Sequence, residues 1–229
     1  MNAELYNERP FFAIIGDIVD SRKIQDRKLV QQNMTLVLSE INKKFAQSIS
    51  SRFVITLGDE FQGLLENGDH VVEVIDSIER EMHPIKLRFG IGVGRITTSI
   101  DYHMPIGADG PAYYNARKVI EHIKMSRKKK MEIRTNIGIE IENNSCISEL
   151  INSIFSLSTV IKSTWTDRQR EVIKAYIECS RSQVGAASLI GVNQSTIQKV
   201  LKASDYYEYQ QAYRSIANVL SYIGENCDV

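Results

Sequence analysis

The sequence predicts an α/β protein followed by an all-helical segment, and two observations carry this prediction. Over the first 140 or so residues, short apolar runs typical of buried strands alternate with segments whose apolar residues recur at helical spacing. After residue 164 the apolar spacing is helical throughout. With 229 residues, the chain is long enough for two modest domains that each bury a core.

The elements of the first part follow the order strand, helix, hairpin, helix, strand, helix, strand. They are predicted at residues 11–17, 26–49, 53–65, 71–82, 85–93, 111–123 and 131–135. This order is that of a ferredoxin-like sheet with helices on one face. In that topology the first strand lies beside the hairpin.

Two aspartates, Asp17 and Asp59, each end a short apolar run. Because a carboxylate is costly to bury alone, an acid at a strand exit usually faces a cleft and a cation. If the strand and the hairpin are neighbours, the two carboxylates should lie within about 4 to 6 Å and bind Mg²⁺ or Mn²⁺. The alternative is that both are turn residues, since Gly-Asp is common in turns.

Composition limits the possible partners. The 28 basic and 28 acidic residues give a net charge of zero, so any attraction to nucleic acid must be local. No apolar run approaches the roughly 20 residues of a membrane span, and we expect a soluble, cytoplasmic protein with no membrane partner. The three cysteines lack CxxC spacing, which argues against a disulfide framework or a zinc site.

Three glycines at 90, 92 and 94 lie within one predicted strand. They do not form a dinucleotide-binding loop, because no suitable helix follows them directly. Such glycines either let a strand bend or admit close contact with another backbone.

Four segments together resemble a known catalytic domain. They are Gly-Asp-Ile-Val at 16–19, Leu-Gly-Asp-Glu-Phe at 57–61, Leu-Arg-Phe-Gly-Ile-Gly-Val-Gly at 87–94, and residues 107–118. This set is similar to the palm domain of class III nucleotidyl cyclases and GGDEF cyclases. Together with the helical segment, the chain most closely resembles the bacterial SatD family, which joins such a domain to a helix-turn-helix.

The resemblance implies roles for individual residues. Asp17 and Asp59 would hold divalent ions, and Ile18 would offer its backbone carbonyl. The positions of the phosphate loop are taken by Asp20, Ser21 and Arg22. From the residues themselves, a helix starting near 23–27 would direct free amides to phosphate, and Arg22 could pair with it. Asp20 and Ser21 could equally cap that helix.

Other positions depart from the cyclase pattern. Ile55 stands where purine cyclases have a base-reading lysine. The transition-state asparagine and arginine of the family lie four residues apart, whereas Asn115 and Arg117 are two apart. At helical geometry these two side chains point about 200° away from each other. An alternative alignment puts Tyr114 and Lys118 at those positions, and Lys118 could still bring charge to a phosphate. These departures favour a binding site over purine cyclisation.

The C-terminal part has the spacing of a helix-turn-helix. The positions that fit are Gln183, Ala187, Gly191, Val192 and Ile197. In the recognition helix, residues 194–202, base edges would be read by Gln194, Ser195 and Gln198. Phosphates would be contacted by Lys199 and Lys202. The alternative is a packing or protein-contact unit, because this helix has no arginine.

The sequence therefore predicts a palm-like domain at 1–145, a linker helix at 146–163, and a helix-turn-helix domain with a C-terminal helix at 164–229. The expected function is a ligand-responsive DNA-binding regulator whose palm binds a nucleotide or phosphate ligand. The alternatives are an active nucleotidyl cyclase or nucleotidyltransferase, and a palm that serves only for dimerisation. An aromatic and apolar stripe on residues 206–223 would pack back on the domain or form a homodimer.

Overall fold

The computed structural model describes residues 9–104, 107–128 and 135–225. The strands are β1 Phe11–Ile18, β2 Ile49–Leu57, β3 Glu60–Leu65, β4 Leu87–Gly94 and β5 Ile137–Ile141. The helices are α1 Arg27–Lys44, α2 Val71–Met82, α3 Pro111–Lys128, α4 Ser145–Ser163, α5 Asp167–Glu178, α6 Gln183–Ile190, α7 Gln194–Ala203 and α8 Tyr206–Glu225. The chain divides into two compact units, 1–156 with 216–229 and 157–215. The predicted domain boundaries stay a prediction.

The five strands form one sheet in the order β2-β3-β1-β4-β5. β1 is antiparallel to both β3 and β4, and β5 is parallel to β4. The expectation that the hairpin borders the first strand is therefore confirmed. The strand predicted at 131–135 lies outside the described residues except for its last position, and the fifth strand of the structure is β5.

The prediction that the helices lie on one face of the sheet is wrong. Phe11, Ala13 and Ile15 pack in one cluster with residues of α3. The alternate residues Phe12 and Ile14, which face the other side, are equally buried at 0% exposure. The reason is visible in β1, where every residue before Gly16 is apolar, a pattern of strands covered on both faces. α1 packs on α2 and along β2.

α3 lies directly on the backbone of β4. A Cβ atom at Gly92 would stand 1.9 Å from the carbonyl oxygen of Ala112 and 2.3 Å from the amide nitrogen of Ala116. At Gly90 it would stand 2.3 Å from the carbonyl oxygen of Ala116. Gly90 and Gly92 therefore admit close contact with another backbone, which is one of the two explanations that the sequence offered for them. This contact fixes the position of the α3 side chains over the end of the sheet.

Side chains of α4 form hydrogen bonds with the backbone groups on the outer edge of β5. The side-chain amide of Asn152 donates to the carbonyl of Ile139 at 2.9 Å and accepts from its amide at 2.8 Å. The hydroxyl of Ser148 accepts from the amide of Ile141 at 2.9 Å. Edge groups that are paired in this way are not open to another strand.

In the second unit, α5 begins with a capping box between Thr166 and Gln169. α6 ends at Gly191, whose φ of 70° lies in the left-handed region, and α7 follows after two further residues. Ile197 and Leu201 of α7 are fully buried.

The stripe on α8 is buried within the protein. Its members are Tyr206, Tyr209, Tyr213, Ile216, Leu220 and Ile223, all less than 9% exposed. This burial agrees with the packing alternative, and the homodimer stays a prediction. Within the described residues, no helix is both long and apolar enough to cross a membrane.

Candidate functional site

A line of charged residues crosses the sheet where β1 ends. Asp17 is paired in register with Glu60 of β3 and with Arg88 of β4. Directly opposed residues on neighbouring strands lie on one face of a sheet. Asp17 continues the alternation of Ala13 and Ile15, so these side chains lie on the face that α3 covers.

Both carboxylate oxygens of Asp17 are engaged by cations. Nη1 of Arg88 donates to Oδ1 at 3.1 Å and to Oδ2 at 3.2 Å. Nζ of Lys124, from α3, lies 3.1 Å from Oδ2. Asp17 is 6% exposed and Arg88 is 9% exposed, so the ion pair is withdrawn from water.

Lys124 also reaches two further acids. Its Nζ atom lies 3.2 Å from Oε1 of Glu121 and 3.9 Å from Oε2 of Glu60. The other oxygen of Glu60 accepts from Nη1 of Arg117 at 3.4 Å. We call these six residues the charge cluster: Asp17, Glu60, Glu121, Arg88, Arg117 and Lys124. Its three acids and three bases balance in formal charge.

The charge cluster keeps Lys124 protonated. Burial by itself lowers the pKa of Lys124, but the charge of Asp17 and its hydrogen bond, with those of Glu121, outweigh burial and raise the pKa above its ordinary value. Because the folded-state pKa is the higher one, the stabilisation is complete at neutral pH. It is lost only as the pH rises through that raised pKa.

Asp59 lies in the turn between β2 and β3, beside the end of β1. Its carbonyl oxygen accepts from the amide of Ile18 at 3.2 Å. Gln31 of α1 donates to the carbonyl of Gly58 at 2.5 Å and holds the same turn. The structure thus brings the main chains of the two predicted acids together, while their shared metal stays a prediction.

The loop after β1 differs from the predicted helix start. Asp20 has a φ of 55°, and residues 21–23 form a single 3₁₀ turn. α1 begins at Arg27, and the carboxylate of Asp26 caps it by accepting from the amide of Leu29 at 3.0 Å. The suggestion that Asp20 and Ser21 cap this helix is wrong. The first turn of α1 already has a carboxylate at its free amides.

A basic rim lies next to the charge cluster. We define it as Arg22, Lys23 and Lys86, all exposed, of which Lys23 pairs with Asp20 of the same loop at 3.5 Å. The carbonyl of Lys86 accepts from the amide of Val19 at 2.8 Å, which places the start of β4 against the loop that carries Arg22 and Lys23. Exposed cations at this place can turn toward an anion in solution.

The predicted α3 residues have separate partners. Lys118 pairs with Glu140 of β5 at 2.6 Å. The amide of Asn115 donates to the carbonyl of Val93 at 3.1 Å, whereas Arg117 pairs with Glu60. The expected divergence of Asn115 and Arg117 is thereby confirmed.

Sequence reasoning missed Arg88, Lys124 and Glu121. One signal was present: Arg88 interrupts an otherwise apolar run, and a charge there needs a partner. Another was the spacing of 117, 121 and 124, which places three charged residues on one helix face.

As arranged, the residues around Asp17 do not fit a divalent ion. A hard cation needs oxygen ligands at about 2.0 to 2.6 Å, and the oxygens of Asp17 already accept from Arg88 and Lys124. Across residues 9–104, 107–128 and 135–225, no group of three or more His, Cys, Asp or Glu side chains is placed to hold a metal.

The first unit is an α/β fold built on one mixed sheet, and the charge cluster lies at the end of that sheet next to the hairpin turn. The chain belongs to the SatD family, whose model matches residues 11–220. The resemblance noted from the motifs is confirmed at the level of the family.

Several solved cyclase structures align with part of the chain. A bacterial light-regulated adenylyl cyclase is 12% identical over 57% of this chain and 75% of that chain, with a TM-score of 0.42. The guanylate cyclase domain of RhGC from Catenaria anguillulae in complex with GTP is 18% identical over 48% of this chain and 71% of that chain, with a TM-score of 0.36. The guanylyl cyclase Cya2 is 12% identical over 50% of this chain and 70% of that chain, with a TM-score of 0.36. Overlaps this loose transfer neither a site nor an activity. No curated protein matches the chain.

Proposed function

We propose that this protein binds a nucleotide, through its phosphates, where the basic rim meets the charge cluster. The observation that carries the proposal is the position of Arg22, Lys23 and Lys86, exposed around the end of β1. Polyanions are held by such groups of arginine and lysine, and arginine can bind a phosphate through two parallel hydrogen bonds.

The choice of a nucleotide among phosphate ligands rests on the motifs. Residues 16–19 and 57–61 resemble the cyclase palm, and they form the strand end and the turn that border the basic rim. Mg²⁺ or Mn²⁺ would then reach the protein with the nucleotide. Because Asp17 is already held in ion pairs, the protein ligands of that ion would be Asp59 and the carbonyl of Ile18.

Binding without cyclisation is the form of this function that the residues support. Asn115 is committed to the carbonyl of Val93, and Arg117 to Glu60, so neither is free in this conformation to act on one phosphate. Ile55 stands in place of a base-reading lysine. A nucleotidyl cyclase or nucleotidyltransferase remains the rival function, and product analysis separates the two.

Arg22→Glu should weaken ATP or GTP binding by about 10- to 100-fold, because a charge-assisted hydrogen bond is replaced by repulsion. Isothermal titration of the full chain measures this, with Mg²⁺ and with EDTA. The matched control is Lys43→Glu, an equally exposed cation in the last turn of α1 whose partner is Glu40. It should bind like the wild type.

The experiment has two outcomes against the proposal. Failure of the full chain to bind any nucleoside triphosphate would remove the nucleotide function. A cyclic or linear nucleotide product, lost in Asp59→Asn at an unchanged melting temperature, would establish the enzyme instead.

We propose DNA binding as a second function, for α5–α7. One observation favours it: α7 presents an exposed polar face opposite its buried residues Ile197 and Leu201. The exposed residues are the five predicted to contact DNA, Gln194, Ser195, Gln198, Lys199 and Lys202. Between residues 162 and 202 there are seven basic and three acidic residues, so the local charge permits DNA binding but drives it weakly.

Lys199→Ala should weaken binding to all DNA sequences and reduce the salt dependence by about one counterion. Gln198→Ala should instead cost about 1 to 3 kcal/mol on the specific site alone. Gel shifts at two salt concentrations measure both effects, with Lys174→Ala on α5 as the control cation. Salt-independent absence of binding in every variant would leave α7 as a packing or protein-contact element.

A further inference from the structure

We propose that the ammonium group of Lys124 is a tethered cation that takes the place of a divalent ion at Asp17. The charge cluster is then complete without metal, in contrast to what the cyclase resemblance implies for Asp17. The inference does not rest on nucleotide binding, because it concerns the metal alone.

The geometry around Lys124 is that of a cation site already filled. Its Nζ atom lies among carboxylates from three elements, at 3.1 Å from Asp17 of β1, 3.2 Å from Glu121 of α3 and 3.9 Å from Glu60 of β3. The ammonium group is within hydrogen-bond distance of Asp17 and Glu121, and the more distant Glu60 adds an ion pair. The acids that could bind an ion here are therefore occupied by the protein's own cation.

Arg88 closes the remaining approach to Asp17. Its guanidinium contacts both carboxylate oxygens and is always charged. The side chains of Arg88 and Lys124 are only 11% and 23% exposed, so water screens them little. A divalent ion at Asp17 would meet two fixed positive charges at short range, and it could bind only in place of Lys124.

α3 holds Lys124 in this position. The backbone contact of α3 on Gly90 and Gly92 fixes the height of the helix over β4. Arg117 lies on the same helix face and pairs with Glu60 of β3, so the face cannot rotate without breaking this pair and the pair of Lys124 with Asp17. A tethered cation gives a constant positive charge that does not depend on the metal concentration.

Electron paramagnetic resonance of Mn²⁺ added to the full chain tests the inference. The wild type should bind no Mn²⁺ at Asp17 at submillimolar concentration. Lys124→Ala should gain one Mn²⁺, bound at least about tenfold more tightly than any ion on the wild type. Removal of Lys124 opens the approach on the α3 side and leaves the three acids of the charge cluster with only two bases, while Arg88 stays on Asp17. The double variant Lys124→Ala/Asp17→Asn should lose that gain.

Two controls separate metal exclusion from a general effect of charge. Lys124→Arg keeps the cation and should stay without Mn²⁺. Lys118→Ala removes a neighbouring cation of the same helix, one that pairs with Glu140 instead, and should also gain nothing. If Lys124→Ala does not fold, Lys124→Met keeps the length of the stem and takes its place.

The inference is overturned by wild-type protein that binds Mn²⁺ and loses it in Asp17→Asn. It is also overturned if folded Lys124→Ala and Lys124→Met gain no Mn²⁺. Neither result bears on the nucleotide proposal, which is decided by titration of Arg22→Glu in EDTA.

Discussion

Gly92→Ala is expected to lower the free energy of unfolding of the first unit by about 3 kcal/mol or more. The added methyl would stand 1.9 Å from the carbonyl oxygen of Ala112 and 2.3 Å from the amide nitrogen of Ala116. Both are backbone atoms inside α3, which cannot rotate away as a side chain can. The helix must therefore lift from β4, and with it Arg117 and Lys124 leave the charge cluster. Urea unfolding followed by circular dichroism measures the loss.

Gly138→Ala in β5 is the matched control. There the nearest atom to an added methyl is Cγ1 of Val119, at 2.8 Å, which is a side-chain atom and not part of the α3 backbone. We expect a cost of about 1 kcal/mol or less. Equal urea midpoints for the two variants would show that α3 does not rest on the backbone of β4.

The order of the elements was predictable because each has a clear period. Strand β1 is apolar from Phe11 to Ile15, and α1 carries its buried residues Met34, Val37, Leu38 and Ile41 at helical spacing. The neighbourhood of β1 and the hairpin followed from that order. The same continuous run in β1 also indicated burial on both faces, which the ferredoxin-like comparison alone did not convey.

The start of α1 shows how a local pattern can remain ambiguous. Asp20, Ser21 and Asp26 all precede the helix and all are good capping residues. Asp26 is the one that stands three residues before Leu29, and its carboxylate reaches that amide. The residue that caps a helix is the one directly before its first turn. Because the chain makes a 3₁₀ turn at 21–23 before α1 begins, Asp20 and Ser21 lie too early to cap that helix.

The partners of Asp17 could not be predicted from local sequence. Arg88 lies 71 positions away, and its contact depends on the register of β1 against β4. Lys124 depends further on the height and rotation of α3, which are set by two glycines. A cation was expected at Asp17 on physical grounds, and the sequence left open whether a metal or the protein supplies it.

Arg88→Met should lower the free energy of unfolding by about 3 to 5 kcal/mol, because it leaves the carboxylate of Asp17 buried with Lys124 as its remaining partner. Asp17→Leu should cost a similar amount, since Arg88 is 9% exposed and its Nε finds no hydrogen-bond partner among the described residues. The double variant should be no less stable than either single variant, because it removes both charges together. Denaturant unfolding of the four proteins gives this coupling directly.

Arg95→Met is the control for this cycle. Arg95 pairs with Glu142 at 3.1 Å, but its side chain is 64% exposed, so its loss should cost less than about 1 kcal/mol. If Arg88→Met costs no more than Arg95→Met, the guanidinium of Arg88 does not stabilise the folded protein through Asp17. If the large cost is found, inactivity of an Asp17 variant cannot be assigned to lost chemistry until its folding has been measured. Asp59, which lies in the partly exposed turn, is then the acid whose substitution tests the site itself.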